Sequence, residues 1–481
     1  MNKTRVLFLF VSLAALLFAC RKDPLSTDPA DKLEFSSDTV IFDTVFTTIG
    51  STTKRLLIYN PSDKRVVISS IQLAGGSASK FRLNVDGIPG ISHQDIELQG
   101  KDSMFLFVEV TLDPAGQNLP LLVTDSILFM TNGNLQDVDL VAYGQDAHFY
   151  YPTNYSEAIG AYSIVDCDDV WTDDKPYVIY GMLVIDTDCS LDIMEGVDVY
   201  LHKNSTLMAY EGGTLRVNGQ QGNPVTFQGD RLEPFYDNVP GQWERIWFYD
   251  GSINNKIDYA IIKNGNNGIV AAPNESTSPN VTITNTQVYQ MAGVCIVGQN
   301  AIIKAENSVF ANGGQFCGAF IIGGDYDFRH CTFGNYYQYG NRQTPSILLN
   351  NYYEDENGNI QLFDLTNAYF GNCIITGNLE NEIGFDSNTG ALFNYRFHHT
   401  LLRIDPEVNT SDITFFDNII KTQSDTFFVD QVNNDFHLDA SSPAIDAGSF
   451  SIMLSSPSLI TDLDGVGRKL APDMGAYESR E

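Results

Sequence analysis

The sequence has few basic residues for its length. Its 481 residues include 28 Lys and Arg against 60 Asp and Glu, which gives a formal net charge of −32 at pH 7. A field of this sign repels polyanions, so the composition argues against nucleic acid as a partner, and an acidic polysaccharide would need a bridging cation. Neutral glycans or other proteins fit this charge better.

The apolar run near the N-terminus is too short to cross a bilayer as a helix. It extends from Val6 to Phe18 and follows Lys3 and Arg5. A run of this length after a basic start is typical of a secretory signal peptide. We therefore predict that residues 1–19 are removed and that the protein is exported. Loss of the two basic residues would bring the formal net charge to −34.

The residues Leu17-Phe18-Ala19-Cys20 resemble the lipobox of bacterial lipoproteins. This resemblance implies that Cys20 is acylated and becomes the mature N-terminus, and several lipid chains at one terminus give stable membrane attachment. The alternative is an ordinary signal peptide cut elsewhere. Arg21 rather than Asp follows the cysteine, which favours the outer membrane. Arg21-Lys22-Asp23 also resembles the surface-export tethers of some Gram-negative lipoproteins, and the leaflet stays open.

Cysteine is absent between residues 21 and 166. Residues 20–32 are rich in Asp, Pro, Ser and Thr without periodicity, which predicts a tether. In residues 33–147, short alternating apolar segments separated by turn-forming residues predict an antiparallel β-sandwich. This segment resembles the cysteine-free immunoglobulin-like modules of large scaffold proteins. Such a domain would lack the disulfide between its two sheets.

A short pattern recurs six times in the second half of the chain. Its leading apolar column is Ile257, Ile283, Ala305, Phe328, Phe370 and Phe397. Three residues later comes a column of small residues: Ala260, Thr286, Ser308, Cys331, Cys373 and Thr400. Two residues further is a second apolar column: Ile262, Val288, Phe310, Phe333, Ile375 and Leu402. Successive copies lie 26, 22, 23, 42 and 27 residues apart, a period that indicates a solenoid in which each repeat is one coil.

The residue before each small residue indicates a sharp bend. These positions hold Tyr259, Asn285, Asn307, His330, Asn372 and His399. Asn and His are among the few residues besides glycine that tolerate the left-handed conformation. We therefore predict an all-β chain of at least two domains, in which a right-handed parallel β-helix over residues 160–440 follows the sandwich.

Two cysteines at the start of the predicted coils are candidates for a disulfide. Cys167 and Cys189 precede the first clear coils, and disulfides form in the exported compartment. The alternative is two free core thiols. The later cysteines lie inside the coils, where a small apolar thiol is an ordinary stacking residue.

The step of 42 residues between the fourth and fifth copies exceeds one coil. It contains either an extra degenerate coil or a protruding hairpin, and the turn at Asn357-Gly358 favours the hairpin. Five tyrosines in this step are candidates for glycan stacking: Tyr336, Tyr337, Tyr339, Tyr352 and Tyr353. The alternative is that they pack the insertion onto the coils.

Three motifs near the C-terminus follow one another at short intervals: Ser442-Pro-Ala-Ile-Asp-Ala-Gly448, Asp462-Leu-Asp-Gly465 and Pro472-Asp-Met-Gly-Ala-Tyr-Glu478. Together with Asp435-Phe-His-Leu438 they resemble the ending of bacterial pectin-lyase-like β-helix lipoproteins of the choice-of-anchor Q type. The resemblance implies that residues 441–481 follow the last coil and cap it, which would cover unpaired backbone groups at the open end.

The acidic residues of these motifs have two interpretations. Asp446, Asp462, Asp464 and Asp473 fit first as acceptors for backbone groups in turns. A calcium site built from the same hard oxygen ligands is the alternative, and no other cofactor is expected.

The sequence lacks most of the motifs of a β-helix polygalacturonase. A resemblance to that family would require Asn-Thr-Asp, Asp-Asp, Gly-His-Gly and Arg-Ile-Lys on successive coils, and only Asp168-Asp169 is present. One basic constellation remains, because Arg329 and His330 align with His398 and His399 in the repeat. These pairs could grip a carboxylate with His as a base. The bend column explains His330 and His399 without any function.

The sequence therefore predicts a lipid-anchored protein of the cell envelope that binds glycan or protein along its coils without catalysis. One alternative is a polysaccharide lyase or glycoside hydrolase on the same scaffold, since fold does not decide function. Another is a structural or adhesive surface protein with no small ligand.

Replacement of the lipobox cysteine tests the predicted anchor. We expect Cys20→Ala to abolish acylation, because the thiol is the group that receives the lipid. Metabolic labelling with a fatty acid measures this directly. Equal labelling of the mutant and the natural protein would show that the lipobox interpretation is wrong.

Overall fold

In the computed structural model the described residues are 24–47, 50–113, 121–157, 159–273, 278–424 and 427–480. The predicted signal peptide, Cys20 and the first residues of the predicted tether lie outside these ranges. Within them the chain is all-β, and it divides into two compact units, Met1–Asp146 and Ala147–Glu481. The described residues contain no helix long and apolar enough to cross a membrane.

The first unit consists of two five-stranded sheets. Its strands are β1 (Glu34–Phe35), β2 (Thr39–Phe46), β3 (Lys54–Tyr59), β4 (Val66–Leu73), β5 (Phe81–Val85), β6 (Ile88–Gly90), β7 (Ser92–Leu98), β8 (Ser103–Val110), β9 (Leu121–Thr131) and β10 (Asn134–Gln145), with a 3₁₀ turn at Gly76–Ala78. The sheet orders are β1-β3-β8-β5-β6 and β2-β10-β9-β4-β7.

Alternation of apolar residues directs one face of each sheet inward. In β8, Leu106 and Val108 are fully buried, whereas Phe105 and Phe107 between them are exposed. Both sheets contribute to one hydrophobic cluster, which includes Leu106 from the first sheet and Phe129 from the second. Period-two alternation therefore gives this unit its core.

The strands of the second unit are short and follow one another closely. They are β11 (His148–Tyr150), β12 (Asn154–Ser156), β13 (Gly160–Ile164), β14 (Asp169–Trp171), β15 (Tyr177–Ile179), β16 (Met182–Ile185), β17 (Ser190–Met194), β18 (Asp198–Leu201), β19 (Thr206–Ala209), β20 (Thr214–Asn218), β21 (Val225–Gly229), β22 (Arg245–Phe248), β23 (Asn255–Asp258), β24 (Ala260–Lys263), β25 (Ile269–Ala271), β26 (Val281–Thr284), β27 (Gln287–Met291), β28 (Val294–Gln299), β29 (Ile302–Glu306), β30 (Val309–Gly313), β31 (Phe316–Ile321), β32 (Gly324–Arg329), β33 (Thr332–Asn335), β34 (Ile347–Asn350), β35 (Tyr352–Glu354), β36 (Ile360–Leu362), β37 (Leu365–Gly371), β38 (Ile374–Gly377), β39 (Ile383–Asp386), β40 (Arg396–His398), β41 (Leu401–Leu402), β42 (Phe416–Asp417), β43 (Ile420–Lys421), β44 (Phe428–Asp430) and β45 (Asp435–Leu438). The helical segments are α1 (Phe450–Met453) and 3₁₀ turns at Pro234–Tyr236, Gln431–Asn433 and Pro457–Ile460.

Most of these strands belong to three long sheets. Sheet I has the order β11-β15-β18-β21-β24-β27-β30-β33-β38-β41-β43, sheet II the order β12-β13-β16-β19-β22-β25-β28-β31-β34-β39, and sheet III the order β14-β17-β20-β23-β26-β29-β32-β37-β40-β42. From β13 to β34 the chain enters sheets II, III and I in turn, so each repeat gives one strand to each sheet. Apart from the antiparallel pair β12 and β13, neighbours in the three sheets are parallel.

The predicted repeat columns are confirmed by the strand register. The leading apolar column lies in sheet III, where Ile257 pairs with Ile283 and Phe328 pairs with Phe370. The second apolar column lies in sheet I, where Phe310 pairs with Phe333. Side chains of both columns are buried in one cluster that also receives residues of sheet II. Residues of the same column are therefore stacked on one another in neighbouring strands.

The predicted bends are also confirmed. All six bend residues have a left-handed backbone, with φ between 47° at Tyr259 and 51° at Asn372. The same conformation recurs at Asn418, with φ of 52°, after Phe416, which pairs with Phe397. The repeat therefore continues for one copy beyond the six that the sequence pattern revealed.

The long step between the fourth and fifth copies contains a hairpin. Strands β35 and β36 pair antiparallel, with Tyr353 opposite Gln361. In the chain they follow β34 of sheet II and precede β37 of sheet III. The Asn357-Gly358 turn closes the hairpin, and Gly358 has a φ of 79°. The segment from 336 to 346 precedes β34 and carries no strand.

The cysteines differ between the start and the middle of the second unit. Cys167 and Cys189 form a disulfide, and they precede β14 and β17, which are neighbours in sheet III. The disulfide therefore joins two successive repeats. Cys295, Cys317, Cys331 and Cys373 are free and buried.

Truncation of one stacked phenylalanine tests the core. Phe333 is fully buried, and its ring centroid lies 5.0 Å from that of Phe310 and 5.2 Å from that of Phe328. We expect Phe333→Ala to leave a cavity and to lower the free energy of unfolding by about 3 to 5 kcal/mol.

Urea unfolding followed by tryptophan fluorescence measures this cost, since all three tryptophans lie in the second unit. Phe235→Ala is the matched control, because Phe235 is exposed in the same unit. An unchanged midpoint for Phe333→Ala would show that this ring does not stabilise the stack.

Candidate functional site

The bend column forms a row of polar side chains between sheets III and I. Register places Arg329 beside Gly371 and Gly371 beside His398, so the two basic pairs lie two strands apart, with Asn372 on the strand between them. The predicted alignment is therefore correct. What the side chains contact decides whether they form a basic site.

Arg329 is held in an ion pair on its own strand. Its Nε donates to Asp327 Oδ1 at 2.8 Å, and its Nη2 donates to Oδ2 of the same carboxylate at 2.7 Å. Its Nη1 donates to Ser455 Oγ at 2.6 Å. Asp327 neutralises the guanidinium, so the predicted basic spot for a carboxylate is not formed at Arg329.

His330 is sealed inside the second unit. It is 0% exposed, and Asn372 Nδ2 lies 2.8 Å from its Nε2. Burial, together with the charge of nearby Arg468, holds the pKa of His330 well below its usual range. A ligand does not reach the buried ring, so these contacts favour the structural interpretation of His330 over a role as a base.

The second histidine pair is also used within the fold. Nδ1 of His398 lies 2.9 Å from the hydroxyl of Tyr369, and its Nε2 lies 3.5 Å from Asp417 Oδ2. Burial and the nearby charge of Arg396 lower the pKa of His398. Nδ1 of His399 lies 3.3 Å from the carbonyl of Ala447. These contacts lie within the fold, and that of His399 involves the C-terminal segment.

The C-terminal segment, residues 441–480, lies along the row of bends. Asn372 Oδ1 accepts from Ser449 N at 2.7 Å, and Asn307 Nδ2 donates to the carbonyls of Ser458 and Thr461 at 2.7 and 2.8 Å. A hydrogen bond between Gln221 and the carbonyl of Asp464 extends the contact to an earlier repeat. The contacts of this segment therefore run back along the side of the repeats, beyond the position at the last coil that the resemblance implies.

A buried ion pair fixes this segment against the row. Arg468 Nη1 lies 3.3 Å from Glu478 Oε2, and both side chains are excluded from solvent. Arg468 Nη2 donates to Asn307 Oδ1 at 3.0 Å, which ties the pair to the bend column. Burial raises the pKa of Glu478 and lowers the pKa of Arg468, since it disfavours both charged forms.

Three of the four acidic residues considered for calcium, Asp462, Asp464 and Asp473, are paired with donors of the fold. Asp462 Oδ1 accepts from Val466 N at 2.7 Å, and its Oδ2 accepts from Glu478 N at 2.8 Å. Asp473 Oδ1 accepts from Asp446 N at 2.7 Å. Asp464 lies 2.9 Å from His437 Nε2 and also pairs with Arg480. Donors therefore point at the lone pairs that a cation would need, and the described residues contain no cluster of three metal-binding side chains.

The five tyrosines of the insertion have different environments. Tyr336 is 8% exposed, and its hydroxyl lies 3.2 Å from Thr376 Oγ1, which favours the alternative that this ring packs onto the coils. Tyr337 is half-buried, and Tyr352 donates to Asp386 Oδ1 at 2.7 Å. Tyr339 and Tyr353 remain 51% and 41% exposed.

Tyr339 lies at a cavity that the sequence pattern did not reveal. The cavity has a volume of about 240 Å³. Its lining is uncharged and consists of Asn238, Gln290, Gln338, Tyr339, Val432 and Asn433. These residues come from separate stretches of the chain, so no local motif marks them. In the sequence, the tyrosines of the long step between the fourth and fifth copies are the only feature that points to this cavity.

Comparisons with known proteins identify no family. No protein-family profile and no curated protein matches the chain. Among solved structures, a protein of unknown function from Porphyromonas gingivalis W83 matches with a TM-score of 0.19 and 14% identity, over 26% of this chain and 50% of that chain. A family 123 glycoside hydrolase from Clostridium perfringens matches with a TM-score of 0.18 and 7% identity, over 24% of this chain and 30% of that chain. The periplasmic chaperone SfaE matches with a TM-score of 0.17 and 15% identity, over 24% and 58%.

These matches are short and weak. The chain spans half or a little more of two of these structures and less than a third of the hydrolase. Scores at this level carry no inference about fold or function.

Removal of the buried arginine tests the attachment of the C-terminal segment. We expect Arg468→Ala to lower the free energy of unfolding by about 3 to 5 kcal/mol, because it leaves the Glu478 carboxylate buried without its countercharge. Urea unfolding followed by tryptophan fluorescence measures the loss.

The matched control is Arg480→Ala, since Arg480 is an exposed arginine of the same segment that also pairs with an acid. Exposed pairs contribute about 0 to 1 kcal/mol, so this variant should unfold close to the natural protein. Equal unfolding of both variants would contradict a stabilising role for the buried pair.

Proposed function

We propose that this chain is an exported lipoprotein of the pectin-lyase-like type, attached to the outer membrane through Cys20. In this proposal sheets I, II and III close into a right-handed parallel β-helix, and the first unit is an immunoglobulin-like sandwich. The cyclic order of the three sheets and their common core support the β-helix. The lipobox resemblance at Leu17-Phe18-Ala19-Cys20 supports the anchor.

The proposed activity is binding of a glycan or protein ligand on the surface of the second unit, without catalysis. The observation that carries this proposal is the exposed ring of Tyr339 beside a cavity lined by uncharged side chains. A half-exposed aromatic ring next to convergent amides is an arrangement suited to recognition. It offers hydrogen bonds and an apolar face, and its lining contains no His, Asp, Glu, Lys or Cys for proton transfer.

The contacts of the basic residues also favour binding over acid–base chemistry. Proton abstraction needs a base within hydrogen-bond reach of the substrate. His330 is sealed, and Arg329 is occupied by Asp327 and Ser455. Arg329 and His330 therefore take part in contacts within the fold and are not free to act on a substrate. Lyase or hydrolase activity and a purely adhesive role are the competing outcomes of the test.

A combined binding and cleavage assay tests the proposed function. The mature chain is applied to an array of neutral and acidic glycans, and the same preparation is incubated with uronic-acid polysaccharides and calcium. We expect retention of neutral glycans on the array, because the acidic field disfavours polyanions. We also expect no unsaturated product in ultraviolet absorbance.

The two arms distinguish the alternatives. Unsaturated product that disappears in Arg329→Ala would establish a lyase and overturn the non-catalytic proposal. Absence of every glycan signal, together with adhesion of the mature chain to cell surfaces, would favour the adhesive role instead.

A further inference from the structure

A second row of polar side chains, all of them amides, lies at or near the C-terminal ends of strands of sheet I. The bend column lies before the N-terminal ends of the same strands. Asn264, Gln290 and Asn312 follow residues that pair across neighbouring strands, and Asn335 follows in the next strand. The first three share a left-handed backbone, with φ of 69°, 55° and 53°. All four side chains are buried. One member of this row, Gln290, lines the uncharged cavity.

Neighbouring amides of the row hold the surrounding segments in place. Asn264 Nδ2 donates to the carbonyl of Asp237 at 2.9 Å. Asn312 Nδ2 donates to Asn434 Oδ1 at 2.7 Å, and its Oδ1 accepts from Tyr336 N at 2.9 Å. These bonds position the three segments that meet at the cavity, near residues 238, 338 and 433.

Of the two polar side-chain atoms of Gln290, only the amide nitrogen forms a hydrogen bond among the described residues. The side chain is 5% exposed, and its Nε2 donates to Asn434 Oδ1 at 3.4 Å. Its Oε1 has no hydrogen-bond partner among the described residues. Asn264 Oδ1 and Asn335 Oδ1 also lack one there, but neither residue lines the cavity. A buried acceptor without a donor is costly, so a ligand that supplies a donor gains free energy at this position.

We propose that this cavity binds a neutral sugar unit and that a sugar hydroxyl donates to Gln290 Oε1. The proposal rests on the proposed function, because it gives the ligand class and the place of that binding. Amides both donate and accept hydrogen bonds, which matches the alternating roles of sugar hydroxyls. Tyr339 offers its ring to the apolar face of the sugar, and Val432 contributes apolar surface.

Volume and charge restrict the ligand further. The cavity of about 240 Å³ is smaller than the roughly 300 to 1,000 Å³ of sites for drug-sized molecules, so it fits one unit of a glycan whose remainder lies outside. The lining has no cation to pair with a uronate, and the whole chain carries a formal charge of −32. A neutral glycan therefore fits better than an acidic one.

Calorimetric titration of point variants tests the site. The mature chain is titrated with cellopentaose, xylopentaose, maltopentaose, mannopentaose and oligogalacturonate. We expect binding of at least one neutral oligosaccharide. Gln290→Met and Tyr339→Ala should each raise its Kd about tenfold, because one loses the acceptor and the other loses the stacking ring.

Matched controls separate local effects from general ones. Tyr353→Ala removes an exposed tyrosine of the same insertion that does not line the cavity, and it should leave the Kd unchanged. Urea unfolding followed by tryptophan fluorescence checks that each variant is folded. If Gln290→Met fails to fold, Tyr339→Ala and Gln338→Ala at exposed positions decide the outcome.

The possible results separate this inference from the function on which it rests. Neutral oligosaccharides that bind all cavity variants as tightly as the natural chain would overturn the site and leave glycan binding intact. Binding of oligogalacturonate alone would overturn the neutral-sugar assignment. Failure to bind any of these sugars, together with an empty glycan array, would overturn both proposals.

Discussion

The sharp left-handed bend between sheets III and I is the constraint on which the second unit depends. Each repeat must bend sharply at one residue, and only a few residue types accept the required backbone without a large steric cost. Because the bend recurs at the same register, Asn285, Asn307 and Asn372 lie in one row, and the apolar columns on either side are aligned with each other. That row then supplies the hydrogen-bonding surface that receives the C-terminal segment.

The sequence predicted the features that depend on short spacings. Both apolar columns and the bend lie within six residues of each other, so their order survives in every copy. The sequence pattern does not predict the copy at Asn418, because Ile419 and Lys421 replace the expected small and apolar residues. Contacts such as that of Asn307 with Thr461 join residues 154 positions apart and have no period to reveal them. The cavity could not be predicted for the same reason, since Gln290 meets its neighbours only through the fold.

The shortage of basic residues shapes the surface as well as the net charge. Along sheet III, arginines are matched by aspartates of their own or a neighbouring strand, as in Arg216 with Asp192, Arg329 with Asp327 and Arg396 with Asp417. Each aspartate neutralises an arginine side chain that could otherwise attract an anionic ligand. The acidic excess therefore remains unpaired, and the proposed ligand is recognised by uncharged groups such as the amides around Gln290.

The long reach of the C-terminal segment has a consequence for how the protein is made. Polypeptides are synthesised from the N-terminus, so the repeats can stack while the residues that cover their bend row are still missing. Contacts over separations of 151 to 243 residues form only once the chain is nearly complete. Until then the polar row and the apolar surface beside it stay open to chaperones and to neighbouring chains. A chain that stops early would keep this surface uncovered, and exposed apolar surface makes incompletely folded chains prone to aggregation.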